Sequence, residues 1–256
     1  MDEIIKVALV TGASSGIGKS ISKELVKLGY TVFGIARSLD NLLKVQNELK
    51  EAFIPIVCDT SKKEQVVAAS QYMLEKKMFP SLFFLNAGMT GSVILEDPNR
   101  FDLELYEKIM NTNYFGVLTW IEFWKERCLE RNIGTFIVTS SCLALFAPPK
   151  MGAYAASKAA IAKVFEGLSI THFKTKLKFS VAYPGPVDTP ALRELVASRA
   201  INRPVFTMTS KKTAKHIINC ALKGKPSCYP SFFYRTLNHL LHALPYQYAM
   251  KLLEKL

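Results

Sequence analysis

A doubly wound parallel sheet covered by helices on both faces, an α/β fold in three αβα layers, is what this 256-residue sequence predicts. Three observations carry the prediction. Short β-rich runs alternate with longer helical ones along most of the chain. The β-rich runs are almost continuously apolar, as in strands buried on both sides. The length suits one large domain, and no repeat or low-complexity linker divides it.

The elements follow in order. Val7–Thr11 reads as the first strand and Gly16–Leu28 as the first helix, with Gly29 placed to end it. Thr31–Ala36 and Ile54–Cys58 read as strands flanking a helix at Leu39–Glu51. Ser61 stands where it would cap the next helix, Lys62–Lys77. Leu82–Asn86, Thr135–Ser140 and Phe179–Tyr183 complete six strands. Leu103–Arg131, Tyr154–Phe173 and Lys211–Leu222 are the remaining helices.

Between the first strand and first helix lies T-G-A-S-S-G-I-G, residues 11–18. Gly12 permits a tight turn, Gly16 lets backbone approach a pyrophosphate, and Gly18 lets helix and sheet pack closely. Ser14, Ser15 and Ile17 complete the loop, and the helix start offers free N–H groups to an anion. This is a dinucleotide loop in its proper strand–helix context, so the sheet is of the Rossmann type. The G-K-S at 18–20 is no triphosphate-binding loop, because five residues separate Gly12 from Gly18 and Ala13 stands where that loop needs glycine.

Tyr154 and Lys158 stand four apart in Y-A-A-S-K, on one helix face, with Ser141 thirteen residues upstream. A phenol with an ordinary pKa of ~10 carries protons poorly near neutrality. A neighbouring ammonium favours phenolate, and a serine can hydrogen-bond a substrate oxygen. Such a group can perform general acid–base catalysis while a cofactor carries the redox chemistry. With the dinucleotide loop, the expected reaction is hydride transfer between a nicotinamide and an alcohol or ketone.

Five motifs in order make the chain similar to the short-chain dehydrogenase/reductase family over roughly residues 4–223. They are T-G-A-S-S-G-I-G, N-A-G (86–88), N-Y-F-G (113–116), the segment from Ser141 to Lys158, and P-G-P-V-D-T (184–189). The resemblance implies a tetrad of Asn113, Ser141, Tyr154 and Lys158. Tyr154 would be the acid/base, Ser141 would orient the carbonyl, Lys158 would bind the nicotinamide ribose, and Asn113 would hold a relay water. Ser140 is the alternative serine, but Ser141 has the family spacing. The resemblance also implies that Asp59 contacts adenine, that Asn86, Ala87 and Gly88 line the cofactor, and that Thr189 meets its carboxamide. Pro184, Gly185 and Val187 belong to the same cofactor-side loop. It further implies a dimer or tetramer through the helices at Leu103–Arg131 and Tyr154–Phe173.

The second strand ends in Ala36 and Arg37, without the acid that would bind the adenosine ribose of NAD. Arginine can pair with a 2′-phosphate, so NADP is the expected cofactor. No metal is expected: the five cysteines never form C-x-x-C, and His239/His242 lack further ligands.

The net charge of +12 is concentrated at one end, with eleven Lys/Arg against two acids after residue 190. Residues 1–223 are expected to form one catalytic domain, with a substrate lid at about 186–210 including a helix at Ala191–Ala200. Residues 224–256 form a basic, aromatic tail with Leu237, Leu240, Leu241 and Leu244 at helical spacing. It would pack over the pocket, meet another subunit, or lie on an anionic lipid surface. Nucleic acid is not an expected partner, since no recognised module accompanies the charge. Without a signal peptide or a long apolar run, a cytoplasmic protein is expected, with membrane contact only at the periphery. The expected substrate is an apolar ketone: a 3-oxoacyl chain, a keto-lipid or a steroid-like compound. The rival reading is a regulatory protein that binds NADP without catalysis.

Overall fold

The computed structural model describes residues 6–90, 94–97, 99–199, 201–202, 204 and 206–236. Seven parallel strands form the central sheet in the order β3-β2-β1-β4-β5-β6-β9. They are β1 Lys6–Thr11, β2 Tyr30–Ala36, β3 Phe53–Val57, β4 Leu82–Leu85, β5 Thr135–Thr139, β6 Lys178–Ala182 and β9 Ser227–Cys228. A separate short ladder pairs β7 Val187–Asp188 with β8 Met208–Thr209. The order in which strands join the sheet reverses between β1 and β4, which opens a crevice at their C-terminal ends.

Alternation along each strand builds the three layers. Val7 and Leu9 of β1 face a core shared with α3 (Lys63–Glu75), α5 (Gly116–Glu130) and α6 (Gly152–Thr171). Ala8 and Val10 face the opposite core, shared with α1 (Gly16–Lys27), α2 (Leu39–Leu49) and α8 (Ser210–Leu222). On the first face, in-register Phe83, Phe136 and Phe179 stack across three strands at centroid distances of 4.3 and 5.2 Å. Trp120 and Trp124 cover them, each indole N–H donating at 3.0 Å to a buried hydroxyl, Thr60 and Ser70. Pro55 lacks an N–H and falls on β3, at the sheet edge where one less donor is tolerated.

Most expected elements lie within one or two residues of the observed ones, and Gly29 follows α1 at φ +80° as its left-handed stop. Three differ. Ser61 does not cap the third helix. That helix starts after Lys62, and the Ser61 hydroxyl donates instead to Asp59 at 2.8 Å, closing a tight turn. The long helix expected over Leu103–Arg131 is α4 (Leu103–Met110) and α5 joined by a π-helical turn at Asn111–Phe115. That bulge buries Asn113 beneath the crevice. The lid helix is α7, Pro190–Ala197, ended before Arg199 by a left-handed turn. The expected helix of Leu237–Leu244 and the His239/His242 pair lie outside the described residues.

Beyond Lys223 the chain returns to the sheet. Cys228 pairs with Ala182, Tyr229 stacks on Tyr183 at 4.9 Å, and a short helical turn begins at Phe232.

Candidate active site

The crevice at the ends of β1, β4, β5 and β6 opens into a cavity of about 890 Å³. Its first wall is backbone. Gly12 and Gly16 adopt φ of +67° and +53°, and a Cβ at Gly18 would lie 2.2 Å from the Gly12 carbonyl oxygen. Gly18 is thus set by close approach of α1 to the loop rather than by a left-handed backbone. Ser15 begins α1 without capping it through its side chain, and the first turn holds no acid. The helix N-terminus therefore remains available to an anion.

The loop after β4 is tied to the end of β1. Backbone N–H groups of Asn86 and Ala87 both donate to the Thr11 hydroxyl at 2.9 Å, and the Asn86 amide donates to the Thr11 carbonyl at 3.2 Å. Gly88 presses the next layer: a Cβ there would stand 3.0 Å from Asn113 Oδ1 and 3.2 Å from Lys158 Nζ. A wall without side chains, facing a helix N-terminus, fits a dinucleotide pyrophosphate.

The opposite side of the crevice carries the titratable groups. Ser141 follows β5, accepts from the Leu143 N–H at 3.1 Å, and hydrogen-bonds Tyr154. Ser140 is committed elsewhere, donating to the Lys158 carbonyl at 2.8 Å. Lys158 Nζ lies 5.6 Å from the Tyr154 ring centroid and donates to the Thr139 carbonyl at 2.8 Å. Burial pushes the Lys158 ammonium down to about 8. Burial likewise pushes the Tyr154 phenol up to about 12, against the lowering effect of the Ser141 hydrogen bond. At neutral pH this is a protonated phenol beside an ammonium, an arrangement able to give a proton and stabilise the phenolate left behind.

Asn113 stands behind this group. Its Oδ1 accepts from the Met89 N–H at 2.7 Å and its amide donates to Ser157 at 3.0 Å, while Ser157 donates to the Tyr154 carbonyl at 2.7 Å. The side chain thus ties the π-helical turn, the β4 loop and α6 together. Cys142, next to Ser141, has its thiol pushed up to about 12 by burial, which keeps it protonated and unreactive.

The cavity gathers Gly12, Ser15, Gly16, Ile17, Asn86, Ala87, Gly88, Ser141, Tyr154, Lys158, Pro184, Gly185, Val187 and Thr189 on its lining. Ser14, Gly18, Arg37, Asp59 and Asn113 are not on it. Ser14 and Gly18 belong to the loop itself, and Asn113 lies one layer below. Arg37 is exposed just past β2, beside the end of β3, where the Cys58 N–H donates to the Ala36 carbonyl at 3.0 Å. Asp59 holds the Ser61 N–H and hydroxyl at 3.0 and 2.8 Å. Thr189 caps α7 by accepting from the Leu192 N–H at 3.3 Å, and its methyl packs near Gly16.

Sequence reasoning missed the Thr139 carbonyl that holds Lys158, and Ser157, which lies inside the Y-A-A-S-K motif itself. It also missed how Tyr234 reaches the site: its ring packs on Gly185, where a Cβ would lie 2.3 Å away. Phe233 beside it contacts Phe206 of the lid segment at 4.4 Å. Among the described residues no three His, Cys, Asp or Glu side chains are grouped to hold a metal ion, and no helix is long and apolar enough to cross a membrane.

This architecture has known relatives. A family model described as short chain dehydrogenase matches residues 6–200. The chain is 29% identical to a probable NADP-dependent dehydrogenase of Haemophilus influenzae, over 70% of each chain. It is 28% identical to 3-ketodihydrosphingosine reductase of Mus musculus, over 84% of this chain and 68% of that one. A short chain dehydrogenase/reductase from Burkholderia phymatum, solved with NAD, superposes with a TM-score of 0.85 over 95% of each chain at 21% identity. The chain belongs to the short-chain dehydrogenase family and is an NAD(P)-dependent oxidoreductase.

Proposed function

We propose that this enzyme is an NADP-dependent reductase that converts an apolar, lipid-like ketone to a secondary alcohol, with Tyr154 as the general acid. One observation carries the reading: the Ser141–Tyr154–Lys158 group opens into a cavity whose remaining wall is mostly apolar, including Phe146, Met151, Leu192, Leu195, Phe206 and Phe233.

A reduced nicotinamide held against the glycine wall and Lys158 would supply the hydride for the carbonyl carbon. Ser141 orients the carbonyl oxygen by hydrogen bonding. Tyr154 gives that oxygen its phenolic proton, so the ketone becomes an alcohol and the tyrosine a phenolate. The Lys158 ammonium, kept in place by the Thr139 carbonyl, stabilises the phenolate. Asn113 anchors the layer behind Lys158, where a relay water would return the proton.

The NADP preference is supported by Arg37. It is exposed at the end of β2, no acid precedes it, and no described carboxylate pairs with it. The name of the Haemophilus relative agrees. The lipid-like substrate is supported by the apolar wall and by the name of the mouse relative. Exposed Ile170 and Phe173 at the end of α6 suit a subunit contact, and exposed Phe232 beside Arg235 suits contact with a lipid surface.

The test is reduction of a panel of ketones of increasing chain length with NADPH and NADH. Turnover rising with apolar length, and faster with NADPH, is expected. Turnover restricted to short polar carbonyls would overturn the substrate class, and equal use of NADH would overturn the cofactor preference.

A further inference from the structure

Charge on the cavity is one-sided. Among its described lining residues stand Lys150, Lys158 and Arg199, and no carboxylate at all. Lys158 belongs to the proton-transfer group, and its ammonium is held by the Thr139 carbonyl. Lys150 and Arg199 have no such task. Both are exposed, and neither forms an ion pair among the described residues. They reach the cavity from two separate substrate-side segments. Lys150 lies on the loop before α6, between Pro149 and Met151, and Arg199 lies just past the C-terminal end of the lid helix α7. Neither segment contains the glycine loop.

Two acids of the neighbouring segments have partners of their own. Glu96 accepts from the Ala153 N–H at 2.5 Å and from the Tyr106 hydroxyl. Asp188 receives a two-point pair from Arg193 at 2.7 and 2.9 Å. An apolar cavity lined by two exposed cations, with neutral Asn202 and Thr90 also on its lining, can select by charge as well as by hydrophobicity.

Resting on the ketone-reductase reading above, we propose that the substrate is an amphiphile with an anionic headgroup, a carboxylate or phosphate. Lys150 and Arg199 receive that headgroup while the apolar chain and ketone extend inward to Tyr154. This narrows the lipid-like class. A keto-lipid bearing an ammonium would place like charges together at the opening, whereas an anionic 3-oxoacyl derivative would not.

The experiment uses the full-length enzyme and NADPH with four ketones that share one alkyl chain and differ in headgroup: carboxylate, phosphate, uncharged methyl ester and trimethylammonium. Two exposed ion pairs should favour an anionic over the uncharged compound by about tenfold in kcat/KM. That preference should shrink as salt rises, and should fall to about threefold or less in Lys150→Ala/Arg199→Ala. A preference for carboxylate alone or phosphate alone identifies the headgroup and supports the proposal. Equal kcat/KM for all four, a preference that survives the double substitution, or a double variant that changes only the KM for NADPH would overturn it. The last result would assign the two cations to the cofactor. Equal turnover of all four compounds leaves the ketone-reductase reading intact; turnover of none overturns that reading and the proposal together.

Discussion

The two sides of the cavity are built from different material. On the side of the glycine loop the wall is main chain: Gly12, Gly16, Gly88 and the N-terminus of α1 present N–H groups and no bulk. On the other side the wall is side chain, contributed by the loop after β5, the lid and the segment beyond β9. A backbone wall can recognise only what every dinucleotide shares, its phosphates and sugars. A side-chain wall can be rewritten one residue at a time. Generality of cofactor binding and particularity of substrate thus follow from the same cavity. Tyr154 and Lys158 stand at the seam.

The largest expected effect probes that seam. Tyr154→Phe removes the proposed acid while leaving the glycine wall untouched, so kcat should fall by about 10²–10⁴-fold. The Kd for NADPH, followed by fluorescence titration, should stay within about threefold. A comparable loss of NADPH affinity would show that the two sides are not separable.

Gly18→Ala strikes the backbone side alone. Its Cβ would collide with the Gly12 carbonyl, so the loop or α1 must shift. A stability loss of about 1–3 kcal/mol in denaturant titration is expected, together with at least tenfold weaker NADPH binding. An unchanged Kd would mean that the loop tolerates bulk and that its wall is less constrained than its packing indicates.

Lys158→Met tests the cost of placing a cation at the seam. The folded protein holds this proton less tightly than the unfolded chain, about 8 against 10.5. The site is therefore destabilising below about pH 8 and ceases to be so as pH rises toward 10.5. Removing the amine should recover roughly 3 kcal/mol at pH 7 and lose about 1 kcal/mol for the stranded Thr139 carbonyl. The net gain of about 2 kcal/mol should appear as a Tm raised by about 4–8 °C, shrinking as pH approaches 10. A lowered Tm at pH 7 would refute the burial cost, whatever happens to turnover.

The smallest effect concerns Arg37, the side chain proposed to choose the cofactor. Arg37→Ala should reduce the ratio of kcat/KM for NADPH over NADH by about tenfold, with NADH kinetics little changed. An unaltered ratio would remove Arg37 from cofactor choice.

Legibility differed along the same line. The glycine loop was readable because its constraint is steric and local, and Tyr154 and Lys158 because four residues on a helix fix a shared face. Ser61 misled because a serine near a helix start can serve a preceding aspartate as readily as the helix, and only the turn at Asp59 decides. The π-helical turn at Asn113 left no periodic signal, since one extra residue per turn hardly disturbs an apolar pattern. Two-residue β9 was too short to stand out beside the basic tail.

By itself, the sequence determined the layered fold, the glycine loop and the pairing of Tyr154 with Lys158 on one helix face, because each rests on residue types at short, fixed separations. Tertiary structure alone decided which carbonyl holds Lys158, how Tyr234 reaches Gly185, and how Lys150 and Arg199 come to line one cavity. Those pairs join segments many residues apart, and their meeting depends on how strands and lid pack. No local propensity encodes such a distance; only the folded chain does.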